Sequence, residues 1–494
     1  MAGQSLANIF RMVMFVIIFI VLLNLISADG YSQANKYMDI SMGDGHALAL
    51  GSDGTVWAWG AHYAGQCGVE FNNPNNIIIT PVKVGKLDDV KDIAAGRGFS
   101  LALKNDGTVW AWGNNRFGTL GDSRKSTQSP DNRYFEPSII PGLTNIIAID
   151  ASEDYAMALK DDGTVWAWGN NGFCQLGSNA AADGNLDDFI SDPHLVTGLS
   201  NVEAIACGPM NAIAITEDGT VWLWGRRAYI LGERFLSINT LGTPTPGIIS
   251  SIDSAISAAA GETHAIILKN DGTVWASGDN FRGKLGNGSE NYQTISGEFT
   301  FVPVEVPGLD DVIAIDAGIE HSIALLANGS VVAWGGNEMG QIGDGTKKDR
   351  NRPFLLPLKN AVKISAAGLD TMVLDASGNI WISGDNTWGQ VGNAAYTDQQ
   401  ITRYPAYVTA PVMADFSAYS WPTVVQNVNI NDSMPTPFPN PNTQPTLAID
   451  ASIGNHSSPT TFQNDYGNLN PLMFVTISIV IVFIAIFAYW AFKR

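Results

Sequence analysis

Histidine has the widest chemical scope of the side chains in this sequence, because a neutral imidazole both binds metal ions and exchanges protons near neutral pH. Of the six histidines, His46, His264 and His321 occupy one corresponding place in a repeated stretch. At that place the other copies have Phe99, Tyr155, Asn211 and Thr371. Phenylalanine neither binds a metal nor accepts a proton, so this pattern predicts a structural role for the histidines and no metal site.

Other residue patterns that would support catalysis are missing from the sequence. It contains no Gly-x-Ser-x-Gly elbow, no His-Glu-x-x-His pair and no phosphate-binding loop. Its three cysteines, Cys67, Cys174 and Cys207, lack the Cys-x-x-Cys spacing of a zinc site. The stretch 183–192 has four aspartates, but not the alternation of a calcium loop. We therefore predict that the protein is not an enzyme and has no cofactor and no metal.

A set of loops with aromatic side chains is the best candidate for a functional surface. Each loop follows a Trp-x-Trp-Gly phrase or its equivalent; six of the seven carry an aromatic ring and the seventh carries methionine. Aromatic residues, methionine and arginine are enriched in protein interfaces. The candidate binding residues are Tyr63, Arg116, Phe117, Phe173, Tyr229, Phe281, Arg282, Met339 and Trp388. The alternative is that each ring packs onto its own repeat.

The elements that hold these loops are defined by a phrase that recurs seven times and is clearest at Asp53–Gly60. Its turn glycines are Gly54, Gly107, Gly163, Gly219, Gly272, Gly329 and Gly378. Consecutive turn glycines are 53, 56, 56, 53, 57 and 49 residues apart by subtraction. A regular period of about 50 residues indicates one supersecondary unit stacked many times. The tryptophans at i and i+2 share one strand face, and we predict that they pack between units.

Each unit is predicted to contain four short strands separated by glycine-rich turns, which is typical of a propeller blade. Seven blades closed into a ring leave few exposed strand edges. A proline-bearing strand precedes every unit except the first, and one more, at 404–408, follows the last. We therefore predict an all-β, seven-bladed propeller in which this C-terminal strand completes the N-terminal blade and closes the ring.

The linked motifs of the units resemble the regulator of chromosome condensation repeat. They run from Gly43 through His46 to Leu50, then Asp53–Gly60; in the third unit Gln175-Leu176-Gly177 follows, with Cys174 in place of the usual glycine. The resemblance covers residues 37–411 and implies a seven-bladed β-propeller of four-stranded blades. Known members of this family include an exchange factor for Ran and a secreted β-lactamase inhibitor, so the resemblance implies little about function.

Both ends of the chain are apolar. The run Met12–Ile26 is short for the roughly 30 Å core of a bilayer, and it predicts a signal peptide at 1–28, with an uncleaved signal anchor as the alternative. Residues 472–492 are uncharged and precede Lys493 and Arg494. They predict a transmembrane helix with a cytoplasmic end at 493–494.

The region between the propeller and the C-terminal apolar segment changes in composition. Residues 412–470 are rich in Pro, Asn, Thr and Ser, which predicts a stalk. Sequons at Asn431 and Asn455 are candidate glycosylation sites. This organisation predicts a single-pass protein of the cell membrane with its propeller on the extracytoplasmic side.

The charge balance narrows the range of partners. With 27 basic and 47 acidic residues the net charge is −20, which repels the phosphate backbone, so we expect no nucleic-acid partner. We expect a monomeric propeller that binds an extracellular protein or a surface polymer. One alternative is nucleotide exchange on a small GTPase, which requires a cytosolic propeller. Another is an extracellular enzyme with its site in the central channel, which carboxylates and histidines on the inner strands would favour.

Overall fold

The chain folds into seven separate four-stranded antiparallel sheets, each built from strands that are consecutive in sequence. The computed structural model describes residues 37–70, 76–124, 132–178, 188–226, 242–289, 299–393 and 407–416. Within these ranges no helix has the length and apolar character needed to cross a membrane. The segments predicted at 1–28, 472–492 and 493–494, the stalk from residue 417 onward, Tyr229, Asn431 and Asn455 lie outside the described residues.

The strands are numbered in chain order, four to a blade. Blade 1 has β1 (Tyr37–Met42), β2 (His46–Gly51), β3 (Val56–Ala61) and β4 (Ile77–Lys83); blade 2 has β5 (Val90–Ala95), β6 (Phe99–Lys104), β7 (Val109–Asn114) and β8 (Arg133–Ile139); blade 3 has β9 (Ile146–Ser152), β10 (Tyr155–Lys160), β11 (Val165–Asn170) and β12 (Phe189–Leu195). Blade 4 has β13 (Val202–Cys207), β14 (Asn211–Thr216), β15 (Val221–Gly225) and β16 (Thr243–Ile248); blade 5 has β17 (Ala255–Ala260), β18 (His264–Lys269), β19 (Val274–Asp279) and β20 (Phe299–Glu305). Blade 6 has β21 (Val312–Ala317), β22 (His321–Leu326), β23 (Val331–Gly335) and β24 (Arg350–Leu355); blade 7 has β25 (Ala361–Ala367), β26 (Asp370–Asp375), β27 (Ile380–Asp385) and β28 (Tyr407–Met413).

The Asp-Gly-Thr turn between the second and third strands shows why the phrase makes a hairpin. Asp53 Oδ1 accepts hydrogen bonds from the Thr55 amide at 3.1 Å and the Thr55 hydroxyl at 2.6 Å. Gly54 between them has φ 76°, which glycine adopts without the penalty that a side chain would add. The same two bonds form at Asp106, Asp162 and Asp271.

The first strand of every blade lines a central channel, and the fourth strand is outermost. At one end of the sheets, here called the upper face, lie the turns between the first and second strands and the loops between the third and fourth. At the other end, the lower face, lie the Asp-Gly turns and the connections to the next blade. The predicted aromatic loops therefore belong to the upper face.

The tryptophan at the second position of the Trp-x-Trp phrase packs between blades, as predicted. Trp59, Trp112, Trp168, Trp224 and Trp334 are fully buried. Each indole Nε1–H also donates to a backbone carbonyl of the preceding blade; Trp112, for example, reaches Gln66 O at 2.8 Å. Burial of an aromatic ring of this size contributes roughly 1.5–3 kcal/mol, so these five side chains hold neighbouring blades together.

The predicted strand exchange at the ring closure is wrong. β28 pairs with β27 and completes blade 7, whereas β1 to β4 form blade 1 without it. The ring closes through side chains: Met42 N donates to Ser365 Oγ at 3.0 Å, and Trp59 Nε1 donates to Gln390 O at 2.8 Å. Phe416, just after β28, adds a ring contact to Tyr37 with centroids 4.6 Å apart.

Candidate functional site

The upper-face loops have a defined backbone that side chains hold in place. In blade 3, Asn170 Oδ1 accepts from Gly172 N at 2.9 Å, and Asn171 Oδ1 accepts from Leu176 N at 3.0 Å. Gln175 Oε1 accepts from Phe173 N at 2.9 Å, so the backbone of the aromatic residue is fixed. In blades 6 and 7 the equivalent glutamines, Gln341 and Gln390, accept in the same way from the backbone N–H of Met339 and Trp388. Cys174 has a positive φ of 62° at the place where the other loops have glycines with φ between 71° and 89°.

The candidate side chains on these loops are only partly covered. Tyr63, Phe117, Phe173, Phe281 and Met339 are half-buried, and Trp388 is 37% exposed. None of them belongs to the buried core clusters, in contrast to the interblade tryptophans. Arg116 is exposed and Arg282 is half-buried. The loops therefore present apolar surface and cationic groups on one face of the ring.

Several of these side chains contact the neighbouring blade. The rings of Tyr63 and Trp388, on blades 1 and 7, have centroids 5.7 Å apart. Phe117 lies 6.5 Å from Phe189 on the outer strand of blade 3. On the other side of the ring, Arg282 Nη2 of blade 5 pairs with Glu338 Oε2 of blade 6 at 2.6 Å. The structure therefore joins the loops of blades 7 and 1, and those of blades 5 and 6.

An acidic cluster surrounds the upper opening of the channel, inside the circle of aromatic loops. Its carboxylates come from the turns between first and second strands and are those of Asp44, Glu153, Asp154, Glu262 and Glu320. Arg97 occupies the same turn of blade 2, with Nη1 3.3 Å from Glu153 Oε2 and Nε 3.6 Å from Asp44 Oδ2. The opening therefore has more negative than positive side chains.

Burial perturbs the acids of this cluster. It raises the pKa of Glu153 to about 7, with the negative charge of Asp44 adding to the effect and Arg97 opposing it. Burial also raises the pKa of Asp44, Asp154 and Glu320. A cation bound at the opening would favour the ionised form of these groups.

The acidic cluster was not among the sites predicted from the sequence. The signal was available, because all five acids stand in the turn that follows the first strand of a blade, one or two residues before the place of His46. Their effect depends on the ring, however, since the turns lie about 50 to 60 residues apart in sequence and meet only when seven blades close.

The three repeated histidines are interblade contacts. Nε2 of His46, His264 and His321 lies 2.9 Å from the hydroxyl of Ser100, Ser322 and Thr371, respectively, in the next blade. The Ser100 hydroxyl donates to Gln66 O at 2.8 Å, so His46 Nε2 carries the proton that it donates to Ser100. Burial lowers the pKa of His46 to about 3, which keeps the ring neutral.

One residue assigned to this position was wrong. The place of His46 in blade 7 belongs to Asp370, not Thr371, because Asp370 pairs with Gly384 as His46 pairs with Gly60. Blade 7 has its glycine one residue later in this turn than blade 1 has. In the structure Ala367 takes the place of Gly43, and Gly368 lies in the turn with φ 52°.

The channel wall contains carboxylates that sequence analysis did not locate. Asp150 Oδ2 accepts from Cys207 N of the next blade at 2.7 Å, and Asp316 Oδ2 accepts from Ala366 N at 2.7 Å. Burial raises the pKa of Asp150 to about 7 and that of Asp316 to about 6. Because backbone amides occupy their oxygens, these acids join the inner strands of adjacent blades.

A second pair of channel acids lies near a lysine. Asp39 Oδ1 is 3.1 Å from Lys363 Nζ. Burial, and then the charge of Asp39, raise the pKa of Asp92 to about 7. In the part of the chain that the structure describes, no three His, Cys, Asp or Glu side chains are grouped as a metal site would require.

Comparison with known proteins gives the same architecture. The model of the RCC1-like domain matches residues 25–291, and that of the regulator of chromosome condensation (RCC1) repeat matches residues 271–325 and 312–341. The ultraviolet-B receptor UVR8 of Arabidopsis thaliana is 27% identical over 360 residues, which cover 71% of this chain and 77% of the receptor.

Two similar proteins come from yeast. The guanine nucleotide exchange factor SRM1 of Saccharomyces cerevisiae is 26% identical over 360 residues, covering 64% of this chain and 72% of SRM1. The crystal structure of Prp20p from the same yeast, a protein that binds Gsp1p and histones, superposes with a TM-score of 0.57. It is 25% identical and covers 68% of this chain and 81% of Prp20p. With its seven four-stranded blades and a family match over more than half its length, the chain belongs to the RCC1-like domain family.

Proposed function

We propose that the protein is a protein-binding module whose upper face is the binding surface. The observation that carries the proposal is the circle of partly exposed aromatic side chains around an acidic opening. Aromatic anchors beside charged groups are the usual composition of interface hot spots. The side chains are held on structured loops, so little conformational entropy is lost on binding.

The chemistry of the upper face indicates the kind of partner. Phe117, Phe173 and Trp388 offer apolar contact area, while the carboxyl groups of Asp44 and Glu153 lie at the centre, where a bound cationic group would favour their ionised form. We therefore infer a protein partner with a basic segment flanked by apolar residues. The similarity to Prp20p supports a protein partner, because that protein binds other proteins. We include in this proposal that the partner lies outside the cell and is a protein or a surface polymer.

The test is the triple substitution Phe117→Ser, Phe173→Ser and Trp388→Ser in the full chain. Because none of these side chains is in the buried core, we expect an unchanged melting temperature and at least a tenfold loss of partner recovered by pulldown, about 1.4 kcal/mol or more. The matched control replaces three exposed apolar residues of the lower face, Ile147, Ile256 and Ile313, with serine. Loss of stability in the upper-face variant, or equal loss of partner in both variants, would contradict the proposal.

We further propose that the chain is attached to a membrane through residues 472–492, with the propeller on the extracytoplasmic side. The support comes from the sequence: 21 uncharged residues followed by Lys493 and Arg494. Protease added to intact cells should then degrade the propeller. A propeller that is cut only after the cells are opened would place it in the cytosol instead.

Nucleotide exchange on a small GTPase is the second candidate function, and the similarity to SRM1 favours it. It requires a cytosolic propeller. The chain would then accelerate release of labelled guanine nucleotide from a Ran-type GTPase, and the upper-face triple substitution would abolish that acceleration only if the same surface is used. If micromolar concentrations of the protein do not accelerate nucleotide release, exchange on the GTPase tested is excluded.

A further inference from the structure

The lower end of every inner strand has a one-residue β-bulge. The pairing register skips one residue at the start of all seven first strands. Bulges redirect side chains, and they are regular features of a fold rather than defects. The skipped residues are Met38, Lys91, Ile147, Glu203, Ile256, Ile313 and Val362.

Five of these seven bulges expose a large apolar side chain. Met38, Ile147, Ile256, Ile313 and Val362 are between 40% and 57% exposed. They lie just below the residues that line the channel, so they form an apolar circle at its lower opening. An inner strand offers many buried positions for isoleucine, and its repeated exposure at one place indicates a surface that is covered in use.

A second apolar circle lies at the same end on the outermost strands. The residue opposite the first tryptophan position is apolar and exposed in five blades: Ile139, Leu195, Ile248, Leu355 and Met413. In the part of the chain that the structure describes, thirteen large apolar side chains are exposed, and ten of them belong to these two circles. The lower face is therefore the apolar end of the ring.

The chain enters and leaves the propeller at this same face. β1 begins with Tyr37, which pairs with Gly51 beside the Asp-Gly turn, and β28 ends at Met413 opposite Trp381. The proposed C-terminal anchor at 472–492 follows β28 in sequence, and the N-terminal apolar run Met12–Ile26 precedes β1. A bilayer that holds either terminal apolar segment is connected to the propeller through its lower face.

The charges of the lower face indicate which kind of surface can lie against this face. The Asp-Gly turns place Asp53, Asp106, Asp162, Asp218 and Asp271 there. Hydrogen bonds from neighbouring threonines lower the pKa of all five, which keeps them ionised at neutral pH. Two copies of the chain in face-to-face contact would bring two such acidic circles together, and anionic lipid would meet the same repulsion.

We propose that the lower face of the propeller lies on the surface of a neutral lipid bilayer, with its two apolar circles in the interfacial layer and the upper face directed away. This inference rests on the proposed membrane attachment and adds an orientation to it. It also leaves the aromatic loops and the acidic opening free for a partner.

The experiment uses the full chain with Cys207→Ala, since alanine occupies that place in five other blades, including Ala95 and Ala260. The remaining cysteines, Cys67 and Cys174, are buried. A single environment-sensitive fluorophore is then attached at Ile256→Cys on the lower face or at Met339→Cys on the upper face. Each protein is reconstituted in phosphatidylcholine vesicles with and without a nitroxide-labelled lipid.

We expect the vesicles to carry the protein in a flotation gradient, and the lipid nitroxide to quench the label at residue 256 several-fold more than the label at residue 339. Replacing a third of the lipid with phosphatidylserine should reduce the quenching at residue 256. Flotation with no difference between the two labels would overturn the orientation while membrane attachment stands. Unquenched label at residue 256, together with an oxidant-dependent disulfide between two chains of the unlabelled Ile256→Cys protein, would show that a second copy covers the face instead. Failure to float would overturn the attachment itself, and the orientation with it.

Discussion

At the residue scale, the chemistry of the buried histidines is that of a neutral hydrogen-bond donor. Histidine stands at this position only where the next blade supplies a hydroxyl. In blade 2, Phe99 takes the place of the histidine and Ala156 of blade 3 takes the place of the hydroxyl, and both belong to one buried core cluster. The two positions vary together among the seven blades once Asp370, and not Thr371, is placed opposite Gly384. The mixture of His and Phe correctly predicted a structural role, whereas the partner hydroxyl needed the register of adjacent blades.

The pairing of His46 with Ser100 gives a prediction for stability. Ser100→Ala leaves the His46 Nε2–H without its acceptor, so we expect a loss of about 1–3 kcal/mol in the free energy of unfolding. His46→Phe alone should also destabilise the fold. The double variant copies the Phe99–Ala156 pair of blades 2 and 3, and it should be more stable than the sum of the single losses by about 1 kcal/mol. Urea unfolding of the four proteins measures this coupling, and strictly additive losses would contradict the assigned contact.

At the element scale, the inner strands are joined by side chains that accept from the backbone of the next blade. Ser41, Asp150, Asp316 and Ser365 occupy the same place in their strands and make this bond. The serines are neutral, but the aspartates are buried acids. The ionised form of the two aspartates is disfavoured in the folded state. Between about pH 4 and pH 7 the folded protein therefore holds protons on these groups that the unfolded chain has released. Folding stability from these groups therefore rises as the pH falls through that range.

Asp150→Asn tests this account of the inner strands. Asparagine does not ionise. When the pH falls from 8 to 5, the unfolding free energy of the wild type should therefore rise by on the order of 2–4 kcal/mol more than that of the variant. Asp271→Asn is the control, because the pKa of Asp271 is lowered and its titration lies below this range. The comparison uses unfolding free energies at both pH values. Equal pH dependence in wild type and Asp150→Asn would show that Asp150 is ionised in the folded protein.

At the scale of the whole molecule, the sequence was sufficient for the number of blades and the strands within them, but not for the way in which the ring closes. The proline-bearing strands at Pro81, Pro137 and their equivalents precede each unit in sequence, yet each is the fourth strand of the preceding blade. A repeat pattern fixes the period without fixing where a blade begins. The acidic opening was missed for a related reason, since a circle of turns exists only once closure brings seven distant segments together.

Closure through side chains predicts that the seam between blades 7 and 1 resembles the other interfaces. Trp59→Phe removes the Nε1–H bond to Gln390 O at the seam, and Trp112→Phe removes the same bond to Gln66 O between blades 1 and 2. Each should lower the free energy of unfolding by a similar amount, about 1–3 kcal/mol. Thermal or urea unfolding measures both. A Trp59→Phe variant with unchanged stability beside a destabilised Trp112→Phe would mean that the seam is not closed as described.

The role of the upper face in binding is tested most directly by hydrogen–deuterium exchange of the full chain with and without a captured partner. We predict slower exchange at the upper-face loops, including 114–121, 171–177 and 386–392, and at the turns that carry Asp44 and Glu153, with the Asp-Gly turns of the lower face unchanged. Protection confined to the lower turns or the outer strands, with the upper loops exchanging as in the free chain, would contradict the assignment of the binding surface.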